Sequence, residues 1–269
     1  MRRLHADFDR TFKALEAGLH VEHIAEFDLK TCRPKNLAAS YLEDRKLASY
    51  DNFPVRNRHG IIGVLERQRV GTCVPKGMLV EEVMVPLSSA MLAANNQPVA
   101  ALLDALRSTR YRLVFKGCEI AGIVTPSDLL KLPVRLYAFM LVTHLEMLMA
   151  ATIRRSYRDR PAEAWISTLS TGRQCWIRDK VEAFSARKLD PDPIELTDFC
   201  DKRDILRRFH GAADQFRNEM VEIENLRNSL AHAANYLNNE DSLDIFLKRV
   251  DLTRRNIEYL HQRLGPHQF

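Results

Sequence analysis

The sequence predicts two folds in series: an α/β (α+β) repeat unit over residues 21–132, followed by an all-α helical bundle over residues 133–264. In the N-terminal half, short apolar runs alternate with amphipathic segments, and the pattern occurs twice. Beyond Leu132 the segments lengthen and glycine nearly disappears, which is typical of helices. The length of 269 residues suits two ordinary domains. Residues 1–20 are predicted to form a lead-in helix.

Composition and charge exclude several classes of protein. Hydrophobic residues make up 46% and charged residues 28%, a globular composition, and the net charge of +5 permits contact with a polyanion. The five cysteines are scattered without Cys-x-x-Cys spacing, which argues against a disulfide framework or a zinc site, so no metal is predicted. The start, "MRRLHADFDRTF", is charged throughout and is not a secretory signal. We therefore expect a cytoplasmic protein.

The most apolar stretch is "LYAFMLVTHLEMLMAATI", residues 136–153. His144 and Glu146 lie near its centre, where both would be costly in lipid. The stretch therefore predicts a buried helix of a bundle and no membrane contact. A buried carboxylate needs a partner, and Arg227 or His232 is the expected partner of Glu146 if the two helices pack together.

The first element is the repeat, with copies at about residues 21–70 and 79–132. "VEHI" begins at Val21 and "GV" follows 42 residues later; "VEEV" begins at Val80 and "GI" also follows 42 residues later. Identity between the copies is low, but the apolar pattern is consistent. The repeat predicts two similar supersecondary units.

The second copy has the clearer pattern. "PVAALLDALRS" (98–108) has helical periodicity, and "YRLVFK" and "EIAGIV" read as two strands around a tight turn at Gly117. "PSDLLKL" is predicted to start another helix. The order is strand, helix, strand, strand, helix, and the ungapped register places Val55 over Val114.

A chemically distinctive stretch, "CEIAGIVTPSDLL", covers residues 118–130. Thr125 ends a predicted strand, and Ser127 or Asp128 begins a helix whose exposed N–H groups favour a phosphate. The carboxylate of Asp128 is suited to accept hydrogen bonds from ribose hydroxyls. The alternative is that Ser127 or Asp128 only caps the helix.

The order of elements and the pattern of glycine, two apolar residues, Thr, two residues and Asp resemble the cystathionine-beta-synthase (CBS) module. The resemblance implies a tandem CBS pair that binds an adenine nucleotide or a related small ligand through Thr125 and Asp128. The first copy has Glu66 and Arg69 at the matching positions, so at most one site is expected to follow the family pattern. Nearby, Arg112, like Arg110, is expected to be solvated or to meet a phosphate.

The second half predicts a series of helices. Prolines open two of them, and a proline-rich turn precedes a third. The segments are "PVRLYAFMLVTHLEMLMAATIRRSY", "PAEAWISTL", "TGRQCWIRDKVEAFSARK", "DPDPIELTDFCDKRDILRRF", "AADQFRNEMVEIENLRNSLAHAANYL" and "SLDIFLKRVDLTRRNIEYLHQRL".

The helix that ends in "LRNSLAHAANYL" carries an unusual polar group. Its buried stripe is predicted from the apolar residues that recur at spacings of three and four: Phe216, Met220, Ile223, Leu226, Leu230 and Ala234. Arg227, Asn228 and His232 lie beside that stripe. Arg227 and His232 are five residues apart, so they do not stack directly on one helix. The alternative is that this face is merely solvated.

"RNSLAH" (227–232), within a late helix of a bundle, resembles the Arg-x4-6-His motif of HEPN domains (higher eukaryotes and prokaryotes nucleotide-binding). A CBS pair followed by such a bundle also resembles a bacterial family of uncharacterised proteins with "SDKRDIL"-like and "LRNxLAHA" segments; here Cys200 replaces the serine. The resemblance implies a metal-independent endoribonuclease that works as a homodimer and needs no catalytic cofactor, or else a non-catalytic scaffold.

The residue types suit that chemistry. His232 would transfer a proton at an RNA 2′-hydroxyl or leaving oxygen, and Arg227 would hold the phosphate. Asn228 would orient either group, and Tyr236 shares a face with His232. The basic runs 154–160, 202–208 and 248–255 are candidates for tracking RNA, although a solvated charged surface is the simpler expectation for each.

Overall fold

In a computed structural model, the chain folds into a repeat unit and a helical unit. The repeat unit is Gly18–Val134, and the helical unit combines Met1–Ala17 with Arg135–Phe269. The N-terminal helix thus belongs with the helical unit. The residues described are 2–71, 77–208, 213–231 and 240–264.

The described residues form α+β structure in the repeat unit and helices in the helical unit, which confirms the predicted order of fold classes. The strands are β1 (Asn52–Asn57), β2 (Gly60–Glu66), β3 (Val85–Pro86), β4 (Leu92–Ala94), β5 (Arg112–Lys116) and β6 (Glu119–Val124). The helices are α1 (Arg2–Gly18), α2 (Ala39–Leu42), α3 (Arg67–Val70), α4 (Val80–Val83), α5 (Val99–Ala105), α6 (Leu132–Ser156), α7 (Glu163–Ile166), α8 (Thr171–Ser185), α9 (Phe199–Arg207), α10 (Ala213–Ala231) and α11 (Glu240–Leu264).

The repeat unit contains two three-stranded sheets, β1-β2-β3 and β4-β5-β6, with the same hairpin register. Val55 pairs with Gly63 in one hairpin, and Val114 pairs with Gly122 in the other. A bulge follows Val55 and another follows Val114. Because equivalent residues are 59 positions apart throughout both hairpins, the predicted repeat is confirmed at the level of individual residue pairs.

The two copies exchange their leading segments. Glu26, which precedes the first hairpin, pairs with Ile123 in β6 of the second copy. Val85, which precedes the second hairpin, pairs with Val64 in β2 of the first copy. The first sheet therefore includes β3 from the second copy, and the Glu26 segment of the first copy lies beside β6 of the second sheet.

Two equivalent glycines allow the exchanged segments to approach the sheets. A Cβ atom at Gly63 would lie 2.4 Å from the carbonyl oxygen of Val85. A Cβ atom at Gly122 would lie 3.1 Å from the carbonyl oxygen of Glu26. The close backbone approach explains why both positions lack a side chain.

The second copy follows the predicted order: β4, α5, β5, β6 and then a 3₁₀ turn at Pro126–Leu130. The "PSDLLKL" segment does not form a longer helix, because Lys131 is extended, with φ −65° and ψ 150°. The next helix, α6, begins immediately afterwards at Leu132. The turn that holds Asp128 is therefore joined to α6 through a single residue.

In the helical unit, α6 is the helix among the described residues that is long and apolar enough to cross a membrane by composition; 61% of that stretch is buried in the protein. Its buried His144 lies with its Nε2 atom 3.4 Å from Nε2 of His261, and the ring of Phe12 is 5.0 Å away. The polar residues of α6 are thus placed against other helices of the unit.

Candidate functional site

The turn after β6 is built around the carboxylate of Asp128. The backbone N–H of Thr125 donates to Oδ2 of Asp128 at 2.7 Å, and the Thr125 hydroxyl donates to the same oxygen at 3.0 Å. The N–H of Asp128 donates to the carbonyl of Thr125 at 3.0 Å. Asp128 is buried, with 8% of its surface exposed. The helix-capping geometry of this pair is therefore present, and it fixes the direction of the carboxylate.

The second oxygen of Asp128 faces a cation. Nζ of Lys131 lies 2.8 Å from Oδ1 of Asp128 and donates to the carbonyl of Ile24 at 2.6 Å. Ile24 belongs to the exchanged leading segment of the first copy. The carboxylate is thus oriented by Thr125 and paired with Lys131, and carboxylate oxygens are suited to accept hydrogen bonds from ribose hydroxyls.

The first copy uses the equivalent position differently. Glu66 stands 59 residues before Thr125, and its Oε1 accepts a hydrogen bond from the Tyr111 hydroxyl at 2.7 Å. Tyr111 belongs to the second copy and is buried, and burial raises its pKa. Thr125 thus holds Asp128 within the second copy, whereas the equivalent Glu66 of the first copy contacts Tyr111 of the second copy. Arg69, which stands where the second copy has Asp128, is exposed.

Arg112 corrects the sequence interpretation. It is neither solvated nor available to a phosphate: it is 2% exposed, and its guanidinium donates to the carbonyls of Ala105, Thr109 and Tyr111. Burial lowers the pKa of Arg112. These carbonyls lie at the end of α5 and in the loop before β5. Arg112 therefore stabilises the loop that joins α5 to β5.

On α10 the predicted apolar stripe is confirmed for every residue that the structure describes, from Phe216 to Leu230. Arg227 is half-buried beside the stripe, and Asn228 is exposed. The Arg227 guanidinium donates to Oδ1 of Asn228 at 3.3 Å. His232 and Tyr236 lie outside the described residues.

The prediction that Arg227 is the partner of Glu146 is wrong. Its Oε1 accepts a hydrogen bond from Nζ of Lys202 at 3.0 Å, and Lys202 also donates to the carbonyl of Thr197 at 2.6 Å. The Lys202 side chain is 6% exposed, so the ion pair is largely shielded from water. The physical reason is that α9, rather than α10, presents its cation to this part of α6.

Two more charged residues of "CDKRDIL", Asp201 and Arg203, also face other helices. Arg173 of α8 donates to both carboxylate oxygens of Asp201, at 3.0 and 2.5 Å. Arg203 pairs with Glu224 of α10 at 2.5 Å. Successive charged residues of α9 therefore connect it to three other helices of the unit. The alternation of signs within this short helix is the sequence signal for such pairing, although the basic residues of 202–208 predicted a surface for RNA.

A group with three potential metal ligands is present among the described residues: Asp198, Cys200 and Asp201, whose ligand atoms lie within 4.8 Å of one another. Arg173 pairs with both of these carboxylates. Burial, with the neighbouring carboxylates, raises the pKa of the Cys200 thiol. The group functions as an ion-pair cluster around α9.

The three basic runs supply many of the ion pairs within the helical unit. Arg154 pairs with Asp192 at 2.6 Å and with Glu195 at 2.9 Å. Arg249 pairs with Glu222 at 3.0 Å. Because these cations are neutralised by neighbouring helices, their charge is less available to a nucleic-acid backbone than the sequence indicated.

Comparison with known proteins adds similarities of fold. No protein-family model and no curated protein matches the chain. Part of the chain is similar to the CBS domain of a bacterial CNNM/CorC family Mg²⁺ transporter in complex with ATP, at 18% identity and a TM-score of 0.39, covering 47% of this chain and 94% of that chain. It is also similar to CBS domains of a transcriptional regulator from Streptococcus pneumoniae, at 20% identity and a TM-score of 0.36, covering 40% and 94%.

A third similar structure is an uncharacterised conserved protein from Pyrococcus horikoshii, at 18% identity and a TM-score of 0.37, covering 41% of this chain and 89% of that chain.

Proposed function

We propose that this chain is a nucleotide-sensing regulatory protein, in which the repeat unit is a CBS pair that binds one adenine nucleotide at the Thr125–Asp128 turn. One observation carries the proposal. The two copies share their hairpin register to the residue pair; among the described residues, the second copy has an oriented, buried carboxylate at its turn, and the first has the exposed Arg69 at the matching position. A repeat whose hairpins share one register and whose following turns differ in this way is suited to a single ligand site.

The chemistry of the turn fits a ribose. Hydroxyl groups of the sugar donate to a carboxylate, and Thr125 holds that carboxylate in place by two hydrogen bonds. The first copy lacks this acceptor, because Arg69 replaces the aspartate. Adenine as the base follows from the resemblance of the 118–130 segment to the CBS family.

The experiment is a thermal-shift panel of ATP, ADP, AMP and GTP on the full chain, because a ligand that binds only the native state raises the midpoint. We expect a shift with at least one adenine nucleotide. The Asp128→Ala variant should lose the shift, and the matched Arg69→Ala variant should keep it. An identical shift in both variants would remove Asp128 from the site.

We further propose that the helical unit is a HEPN-like domain that cleaves RNA as a cytoplasmic homodimer, with Arg227, Asn228 and His232 as the catalytic set. The observation in favour is the contrast between arginines. Arg203 and Arg249 pair with carboxylates, whereas the hydrogen bond of Arg227 goes to the neutral amide of Asn228 among the described residues. A guanidinium that is not neutralised by a carboxylate is suited to a phosphate.

In this mechanism His232 accepts the proton of the 2′-hydroxyl as that oxygen attacks the phosphorus, and the 5′-oxygen leaves with a proton from a second acid. Arg227 stabilises the charge on the phosphoryl oxygens. A two-fold axis would bring a second catalytic set and supply the second acid. The products are a 2′,3′-cyclic phosphate and a 5′-hydroxyl.

Cleavage of a fluorogenic RNA in the presence of a chelator tests this role. We expect activity that disappears in His232→Ala and persists in the control variant His59→Ala, together with a dimeric mass by light scattering. If the purified dimer does not cleave RNA, or if His232→Ala cleaves normally, the helical unit is a scaffold that transmits the state of the repeat unit without catalysis.

A further inference from the structure

Lys131 occupies a junction within the repeat unit. Its ammonium contacts Oδ1 of Asp128 at 2.8 Å and the carbonyl of Ile24 at 2.6 Å. Its backbone carbonyl accepts a hydrogen bond from the N–H of Val134 at 3.2 Å, in the first turn of α6. One residue thus touches the candidate ligand turn, the exchanged segment of the other copy and the start of α6.

We propose that Lys131 is an internal counter-ion that an arriving nucleotide displaces from Asp128, and that this displacement is the signal the repeat unit gives. The inference rests on the proposed nucleotide site and names how that site is regulated.

Competition at the carboxylate follows from its geometry. Oδ2 of Asp128 already accepts two hydrogen bonds from Thr125. A ribose hydroxyl that donates to the carboxylate is therefore directed to Oδ1, where the ammonium of Lys131 lies. Only 10% of the Asp128 side chain is exposed, so the space beside Oδ1 does not easily hold both groups.

The cation is the group that can leave. The Lys131 side chain is 39% exposed, and a lysine ammonium is strongly hydrated at the end of a flexible stem. Its release into water is inexpensive, whereas the Asp128 carboxylate is fixed by the turn. The position 59 residues earlier is Thr72, so the first copy has no ammonium at the matching place in its sequence.

Displacement has a structural consequence beyond Asp128. When the ammonium leaves, it also releases the carbonyl of Ile24, whose segment pairs with β6 through Glu26 and Ile123. The backbone of Lys131 then loses its side-chain anchors immediately before α6. Amide exchange at residues 131–136 is therefore expected to rise when nucleotide binds.

Titration calorimetry with ATP, ADP and AMP on the wild-type chain and on Lys131→Met tests the proposal. Loss of a partly exposed ion pair should tighten nucleotide binding by about two- to fivefold, because the competitor is removed. The variant should also show raised amide exchange at 131–136 without nucleotide and no further rise with it. Lys46→Met, a change of an exposed lysine in the first copy, should behave as the wild type.

The outcomes distinguish failure of the Lys131 displacement from failure of the nucleotide site. If the wild type binds and Lys131→Met binds more weakly, Lys131 contacts the nucleotide and the counter-ion role is wrong. Unchanged affinity and unchanged exchange would overturn it equally. If neither protein binds any nucleotide, the proposed site itself fails, and the displacement fails with it. Lys131→Gln serves as a second variant should Lys131→Met unfold at a lower temperature than the wild type.

Discussion

The hairpins of the two copies have the same backbone register and different chemistry in the turns that follow them. Their hairpins share register and bulge positions, and each accepts a leading segment from the other copy. At the turn that follows, the second copy places Thr125 and Asp128, and the first places Glu66 and Arg69. The apolar pattern therefore maintains the pair of sheets, while the turns are free to diverge in function.

The largest expected effect distinguishes the two copies at their glycines. Gly63→Ala brings a Cβ atom to 2.4 Å from a backbone oxygen, so the exchanged segment must move. We expect a loss of about 2–3 kcal/mol in the free energy of unfolding, as for other overpacked sites. Gly122→Ala meets its neighbours at 3.0 Å or more and should cost about 1 kcal/mol. Urea denaturation measures both, and equal losses would refute the stated asymmetry.

A smaller effect is expected at the hydrogen bond between the copies. Tyr111→Phe removes the donor to Glu66 and should cost about 1.5 kcal/mol, the lower range for a bond to a charged group. Tyr50→Phe, at a more exposed tyrosine of the first copy, should change the free energy of unfolding by less than about 0.5 kcal/mol. Similar losses for the two variants would mean that the Glu66 contact does not stabilise the pair.

At the turn itself, Asp128→Ala removes a helix cap and the partner of Lys131. The expected cost is about 1 kcal/mol, typical of a lost cap. Arg69→Ala changes an exposed side chain at the equivalent position and should stay within about 0.5 kcal/mol. Thermal denaturation without ligand measures the contrast, and a larger loss in Arg69→Ala would show that the first turn is the structurally important one.

The smallest effect on stability at neutral pH is expected at Cys32. Cys32 pairs with Val55 in the first copy, as Ala93 pairs with Val114 in the second copy. Burial raises the pKa of the Cys32 thiol from 9.0 to about 12. The unfolded chain loses this proton first, so the thiol should lower stability as pH rises from about 9 towards 12 and have no effect below that window.

Cys32→Ala should therefore reduce the loss of stability at alkaline pH, measured as the midpoint of thermal unfolding against pH. At pH 7 the variant should change the midpoint only through the packing that it loses. Alkylation at pH 8 should modify the exposed Cys118 and Cys175 and spare Cys32. Rapid modification of Cys32 in the native protein would contradict its burial.

Sequence patterns predicted the elements whose causes are local. Alternating apolar residues predicted β5 and β6, helical spacing predicted the stripe of α10, and the 42-residue intervals predicted the repeat. These features depend on periodicity within one segment or on self-similarity. They require no knowledge of which segments meet.

Pairings between distant segments were not predictable in the same way. Glu146 pairs with Lys202, 56 residues away, whereas the sequence suggested Arg227 or His232 on the assumption that the two helices pack together. Arg112 was predicted to be solvated or to meet a phosphate, because the sequence does not show which backbone carbonyls lie near its guanidinium. The exchange of leading segments was also missed, since a short apolar run fits either sheet equally well.

The candidate sites show the same division. The spacing of Thr125 and Asp128 placed them in one turn, and the contact was found as a local capping interaction. The role of Lys131 was missed, because its importance comes from Ile24, more than one hundred residues earlier in the chain. The part of the site that joins the two copies is therefore the part that sequence reasoning could not supply.

Titration calorimetry of the full chain with adenine nucleotides counts the occupied sites. We expect about one nucleotide per chain, with an affinity that is at least about tenfold weaker in Asp128→Ala and unchanged in Arg69→Ala. Two equivalent nucleotides per chain, or full affinity in Asp128→Ala, would contradict the conclusion that the second turn alone is the ligand site.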